Sequence, residues 1–345
     1  MDTLHILDDI APEALQEEAV STGTLPKENR IRELLKEAYS RYGSDNHGVV
    51  ADYIPALAEA NPDLFGLSIA GVNGDVHSEG DAGVLFSIQS ISKAFVFALV
   101  DQRLGHDSVR RAVGVNNTGL AFNSVIAIEL NGGKPMNAMV NAGAIATTGL
   151  IPGASVDSRW AFIVEGLSQF AGRELAMDEK VYESEVASNM RNRSIAGLLN
   201  SYGTLSADPD ETVDLYTRQC SMNVTSEDLA IMGATLADGG VNPRTGEKVV
   251  DPSVCRDTLA SLASAGLYER SGDWLYEIGM PGKSGVSGGL VTISPGKGAL
   301  GSYAPRLDPA GNSVRGQRAA HYLSGALGLN LFASQPQVET SRGIA

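Results

Sequence analysis

Phe86-Ser87-Ile88-Gln89-Ser90-Ile91-Ser92-Lys93-Ala94-Phe95-Val96-Phe97 is the stretch from which the rest of the chain is read. A short apolar run ends in polar residues and gives way to a second apolar segment, Ala94 to Val100, with no helix breaker before Gly105. The pattern predicts a strand or loop feeding the first turn of a buried helix. Ser90 and Lys93 fall at i and i+3 of that turn, a spacing that puts their Cβ atoms roughly 5–6 Å apart on one face. A hydroxyl and an amine able to take its proton would meet there. The free backbone N–H groups of a helix start also favour negative charge developing nearby. S-x-x-K with this spacing marks serine acyl-transfer enzymes. Taken alone, the pair reads more readily as a polar helix start with a solvated lysine.

A second box changes the balance. Lys283-Ser284-Gly285 stands just before the apolar run Gly289–Ser294. S-x-x-K enzymes place a K-T-G-like box on a strand beside the serine, far C-terminal to it. Order, distance and strand context all fit. Other patterns fit less well. Gly296-Lys297-Gly298-Ala299-Leu300-Gly301 matches the dinucleotide fingerprint, yet Pro305 and Pro309 follow and no βαβ unit surrounds it. Gly285-Val286-Ser287-Gly288-Gly289 matches a nucleophile elbow, with Asp308 and His321 following in hydrolase order. The elbow needs a helix after its serine, and this sequence continues as a strand. Ser44-Asp45-Asn46 precedes Ser90 and reads as a turn.

The remaining sequence bounds the possibilities. The chain has 345 residues, 43% of them hydrophobic and 19% charged, enough for one large or two ordinary domains. Apolar runs fall short of the ~18 residues a membrane helix needs, which argues against a membrane partner. The acidic stretch Met1–Ala19 lacks a basic segment followed by an apolar core, so a cytoplasmic location is expected. A net charge of −15 argues against nucleic acid as a partner. The same excess acid is compatible with activity at high salt, although an ordinary acidic cytosolic protein carries it too. Cys220 and Cys255 give neither a disulfide framework nor a metal-ligand spacing, so no metal is expected.

In chain order, residues 1–27 read as an acidic extension. A helix follows with Ile31, Leu34, Leu35 and Ala38 on one face, and another begins near Val50 and includes Tyr53, Leu57 and Ala58. Asn73-Gly74 between the run from Leu64 to Ala70 and Val76 predicts a hairpin. Helices are expected over 108–113, 138–147, 156–170, 178–191, 213–219, 226–236 and 252–265, and strands over 274–278, 289–294 and 299–303. A last helix is expected over 313–327, followed by a polar tail, 331–345, with a disordered composition. Strands at both ends with helices between them predict an α+β fold. One antiparallel sheet flanked by helices (about 28–88 and 270–330) would join a mainly helical lobe (about 89–269), with a site between them.

Five blocks carry a resemblance. They are Val50-Ala51-Asp52-Tyr53-Ile54-Pro55, Gln89-Ser90-Ile91-Ser92-Lys93, Met139-Val140-Asn141-Ala142-Gly143-Ala144, Lys283-Ser284-Gly285-Val286 and Gly311-Asn312-Ser313-Val314. In order and spacing, from about residue 28 to 330, the sequence resembles the serine-dependent glutaminases, which share the β-lactamase-like fold and hydrolyse L-glutamine to L-glutamate and ammonia. The resemblance implies Ser90 as nucleophile and Lys93 as general base. It also implies the N–H groups of Ser90 and Val286 as an oxyanion hole, and Tyr53, Tyr216 and Tyr268 as site tyrosines. Of these, Tyr216 would relay a proton, while Tyr53 and Tyr268 would position substrate or help protonate the leaving ammonia. Glu185 is implied for the substrate α-ammonium, and Asn141 and Asn192 for its carboxylate and amide. The resemblance further implies no cofactor and a homo-oligomer, a tetramer or a dimer. Ala138, Val186 and Asn189 depart from the family pattern and bear on loop shape. Two other readings stay open: a β-lactamase or peptidase of the same fold, and a catalytically silent binding protein.

Overall fold

A computed structural model describes residues 23–334, so most of the expected extension and tail lie outside the described residues. Seven strands occur among the described residues: β1 (Gly66–Gly71), β2 (Val76–Gly80), β3 (Phe86–Ser87), β4 (Asn223–Val224), β5 (Gly282–Ser284), β6 (Gly289–Ser294) and β7 (Gly298–Tyr303). Five of them form one antiparallel sheet in the order β2-β1-β7-β6-β5. The β1–β2 hairpin turns at Asn73-Gly74 as the dipeptide predicts, with Gly74 at φ 88°. The sheet therefore joins residues from the first quarter of the chain to residues near its end, Ile69 opposite Leu300 and Gly66 opposite Tyr303. Strands β3 and β4 pair separately, Phe86 opposite Val224.

Side-chain alternation along the strands sorts the two faces. Leu67, Ile69, Leu290 and Leu300 join Ile31, Leu34, Leu35 and Ala38 of helix Glu28–Tyr42 and Ala319, Ala320 and Leu323 of helix Val314–Ala326 in one buried cluster. Val291, Ile293 and Ala299 face the other way, into a larger cluster with the central helices. Helix Ser226–Ala237 lies directly on that second face. Small residues let it approach: a Cβ on Gly301 would stand 2.1 Å from the Ser226 carbonyl oxygen. Each Leu or Ile so buried contributes about 1.5–3 kcal/mol.

Helix Ser92–Leu104 runs through the larger cluster, with every residue from Ser92 to Asp101 buried. Several expectations shift. The segment 274–278 is not a strand: Ser271–Glu277 is a helix, its Trp274 wholly buried with Nε1–H donating to the Met280 carbonyl at 2.7 Å. The helix expected from Val50 is one turn, Pro55–Ala58, because Pro55 forces Ile54 into extended backbone and leaves Tyr53 outside. The helix expected over 178–191 is two, Glu179–Ser188 and Met190–Ser201, broken at Asn189. The helix expected from residue 138 opens at Asn141. Gly296–Gly301 forms the β6–β7 turn and the start of β7, with no helix behind it, and Gly289–Ser294 is a strand rather than the helix a nucleophile elbow needs. Asp45 and Asn46 lie in a loop held by Arg318 and Arg315.

Candidate active site

Ser90 sits where the short β3 strand turns into the central helix. The Ile88 N–H donates to the Met222 carbonyl at 2.8 Å and ends the strand. Gln89 then takes φ 51°, and a 3-10 turn, Gln89–Ile91, precedes helix Ser92–Leu104. The helix expected at Ser90 thus opens as this tighter turn. Only two non-glycine residues among those described have positive φ: Gln89, and Tyr268 at 57°. Backbone held in this region costs of order 1–3 kcal/mol per residue and clusters at functional sites. Both strained residues meet at Ser90: Gln89 precedes it, and the Tyr268 hydroxyl, which donates to the Ser284 carbonyl at 3.1 Å, lies close enough to Ser90 to feel its hydroxyl.

Lys93 is wholly enclosed. Its Nζ donates to Asn141 Oδ1 at 2.7 Å and to the Met139 carbonyl at 3.3 Å. The rings of Phe122 and Tyr216 stand 5.7 Å and 6.0 Å away. Burial brings its pKa down to about 8, against the pull of Cys220 and Glu185. No hydrogen bond joins Lys93 to Ser90 in this arrangement. Lys283, on β5, lies 4.3 Å from the centre of the Tyr268 ring and donates to the Ser284 carbonyl at 2.9 Å. Burial, and then the neighbouring Lys93, push its pKa well down.

The polar wall is made by helices from the middle of the chain. Asn141 accepts from Lys93, accepts a longer bond from the Tyr216 hydroxyl at 3.4 Å, and donates to Asn192 Oδ1 at 2.9 Å. Glu185 is buried and accepts from Gln89 Nε2 at 2.5 Å. Burial raises its pKa to about 7, opposed by the Gln89 bond and by Lys93. Burial also raises the Tyr216 hydroxyl, and raises Tyr268 to about 12. Tyr53 is 56% exposed, yet desolvation, and then Tyr268 and Glu185, raise its hydroxyl, which puts it at the edge of this group. Ser184 Oγ accepts the Ala56 N–H at 3.1 Å and ties the Tyr53 segment to the helix of Glu185. Val286 follows β5 in a tight turn and its N–H has no hydrogen-bond partner among the described residues.

The structure therefore gathers Ser90, Lys93, Asn141, Glu185, Asn192, Tyr216 and Tyr268 through shared contacts, with Tyr53 at the edge. Sequence reasoning missed Gln89, Phe122 and the Met139 carbonyl. It noticed Lys283 as part of a box without giving it a place in the site. Of the departures, Asn189 is buried, accepts from Arg193 Nε at 2.9 Å and separates the helices that carry Glu185 and Asn192. An open groove of about 580 Å³ near Glu165 and Arg173 lies away from Ser90, and Arg173 there is paired with Asp228. No described group of three His, Cys, Asp or Glu side chains able to hold a metal stands at the serine; Asp101, His106 and Asp257 form one elsewhere.

An antiparallel sheet covered by helices, with a serine on the turn that opens the central helix and a buried lysine on that helix, close to the β5 edge, defines a β-lactamase-like fold. A family model described as Glutaminase matches residues 48–332. Glutaminase 2 of Yersinia pestis is 56% identical over 320 residues, covering 93% of this chain and 94% of that protein. The solved structure of a probable glutaminase, ybaS, aligns with a TM-score of 0.88 at 44% identity over 90% of this chain and all of that one. A probable glutaminase from Bacillus subtilis, complexed with 6-diazo-5-oxo-L-norleucine, aligns at 0.80 and 31% identity, over 89% of this chain and 99% of that one. The chain belongs to the glutaminase family.

Proposed function

We propose that this chain hydrolyses L-glutamine to L-glutamate and ammonia through an acyl-enzyme on Ser90. The observation that carries the mechanism is the buried Lys93 amine. A neutral amine has two N–H bonds and one lone pair. Asn141 Oδ1 and the Met139 carbonyl take the two N–H bonds, which leaves the lone pair for the Ser90 proton. Ser90 Oγ attacks the side-chain amide carbon as its proton passes to Lys93. The C–N bond then breaks, the nitrogen takes that proton, and ammonia leaves. Water next attacks the glutamyl ester, releases glutamate and returns a proton to Ser90 Oγ.

Other groups support these steps. Tyr268, beside Ser90, holds the hydroxyl in place and helps pass the proton to the departing nitrogen; Tyr216 relays protons on the Lys93 side. The unpartnered Val286 N–H, with that of Ser90, would receive the charge forming on the amide oxygen. Glu185 pairs the α-ammonium, and binding that cation draws the carboxylate back toward its ionised form. Asn192 and Asn141 hold the α-carboxylate and the amide, with Tyr53 closing the mouth. Asn141 also positions Lys93. The complex of the Bacillus subtilis relative with 6-diazo-5-oxo-L-norleucine supports an amino-acid-binding site.

Ammonia release from glutamine and asparagine, and turnover of a chromogenic β-lactam, by wild type and Ser90→Ala test the reading. Glutamine hydrolysis should be lost in the variant; undiminished hydrolysis would sink the mechanism, and lactam turnover without glutamine turnover would sink the substrate. The reading treats residues 28–330 as one glutaminase domain. No described helix is long and apolar enough to cross a membrane. A cytoplasmic homo-oligomer completes the reading, which cell fractionation and light scattering check.

A further inference from the structure

The far end of the helix that carries Lys93 holds a second cluster of chemistry-bearing side chains, unused by glutamine hydrolysis. Asp101 lies in the last turns of helix Ser92–Leu104, His106 opens helix His106–Val113, and Asp257 projects from helix Pro252–Ala265. One ligand atom from each can be chosen so that all three lie within 4.8 Å of one another. They line a cavity of about 320 Å³ together with Arg110, Ser261 and Ser264. Asp101 is only 3% exposed, and neither of its carboxylate oxygens has a hydrogen-bond partner. A buried carboxylate in that state is costly, and proteins normally pair it or give it to a metal.

We propose that Asp101, His106 and Asp257 hold one divalent transition-metal ion, of the zinc or manganese type, at the junction of these three helices. Two carboxylates and an imidazole match the donor preference of such ions, and their charge balances an M²⁺ ion. Ligand bonds of about 2.0–2.2 Å place neighbouring donor atoms roughly 3–4 Å apart. The three donor atoms, within 4.8 Å of one another, already stand close to that spacing. His106 Nδ1 now stands 2.6 Å from Asp257 Oδ2, so the ion displaces the proton between them. Arg256 engages Asp257 Oδ1 at 2.9 Å and leaves Oδ2 for the ion. The Arg110 guanidinium on the wall opposes a cation, which sets a moderate affinity. The open side of the cavity leaves remaining positions to water.

Lys93 is eight residues from Asp101, about 12 Å along the helix axis. The ion therefore touches nothing at Ser90; it pins the C-terminal end of the helix to two neighbours. Tag-free, chelator-treated full-length protein should bind one equivalent of Zn²⁺ or Mn²⁺ by calorimetry and elemental analysis. Its Tm should rise by about 4 °C at a hundredfold excess over Kd. His106→Ala, at a half-exposed position, and Asp101→Asn should both lose the bound equivalent and the Tm rise. His106→Ala should keep its glutamine hydrolysis. Absence of stoichiometric binding of either ion by wild type overturns the proposal, as does binding that survives both substitutions.

Discussion

Changing the pH perturbs Lys93 directly. Its amine titrates near 8 rather than at the ordinary 10.5 because it is buried. Only the neutral amine accepts the Ser90 proton, so hydrolysis should rise with pH. A base of pKa about 8 is roughly 1% neutral at pH 6, about 10% at pH 7 and half neutral at pH 8. Lys93 alone then gives about a 50-fold increase in kcat/KM from pH 6 to pH 8. Glu185, near 7, steepens the acid limb, because its protonated form no longer pairs the α-ammonium. The two groups interact, so the profile reports apparent values that belong to the pair. Relative to an exposed lysine, the neutral fraction at pH 7 is roughly 300-fold larger, equivalent to about 3 kcal/mol. The assay is ammonia release at constant ionic strength between about pH 6 and 8.5. Lys93→Arg supplies a group that stays charged and should lose about 10²–10⁴ in kcat. A flat wild-type profile, or Lys93→Arg keeping more than about a tenth of the activity, would refute the role given to this amine.

Three further outcomes follow from the same geometry. Glu185→Gln removes a charge-assisted contact worth about 1.5–3 kcal/mol, so KM for glutamine should rise roughly 10- to 100-fold with kcat changed much less; an unchanged KM separates the carboxylate from the ammonium. Tyr268→Phe deletes the hydroxyl between Ser90 and the Ser284 carbonyl. It should lower kcat by about 10²-fold with KM nearly constant, and a KM effect alone would make this tyrosine a binding group. Gly143→Ala places a Cβ 1.8 Å from the Asn137 carbonyl oxygen. Thermal denaturation should show a loss of about 2–3 kcal/mol, together with reduced activity as the loop carrying Met139 shifts; a variant as stable as wild type would show that the loop relaxes freely.

Much of this architecture was legible before any coordinates. Ser90 and Lys93 share a turn because three-residue spacing needs only local geometry, and Asn73-Gly74 announces its hairpin because the turn needs a residue tolerant of positive φ. The segment 274–278 misled for an equally physical reason. Trp274, Tyr276 and Ile278 have strand-forming side chains and would share one face of a strand, but Trp274 and Ile278 are buried while Tyr276 is 86% exposed, the four-residue spacing of a helix turn. The Gln89–Glu185 bond was not legible. It joins residues 96 apart in sequence and depends on a strained backbone at Gln89 that glutamine does not advertise. Nor does spacing show that Lys93 turns to Asn141; that follows from where helix Asn141–Gly149 begins, three residues after the apolar pattern already looks helical. The roles of Glu185, Asn192 and the tyrosines came from resemblance, since composition alone treats them as surface acids and core aromatics.

The pairing of β1 with β7 has a consequence for biosynthesis. Strand β1, upstream of Ser90, finds its second partner only after residues 298–303 have been made, and the β5 edge that faces the serine arrives scarcely earlier. A ribosome-bound chain that already contains Ser90, Lys93 and Glu185 has no completed site, and its β1–β2 hairpin presents an unpaired edge. Sequence-distant pairing of this kind closes slowly. Hydrolysis should therefore switch on only when synthesis is nearly finished, and a product ending before Tyr303 should aggregate rather than display partial activity.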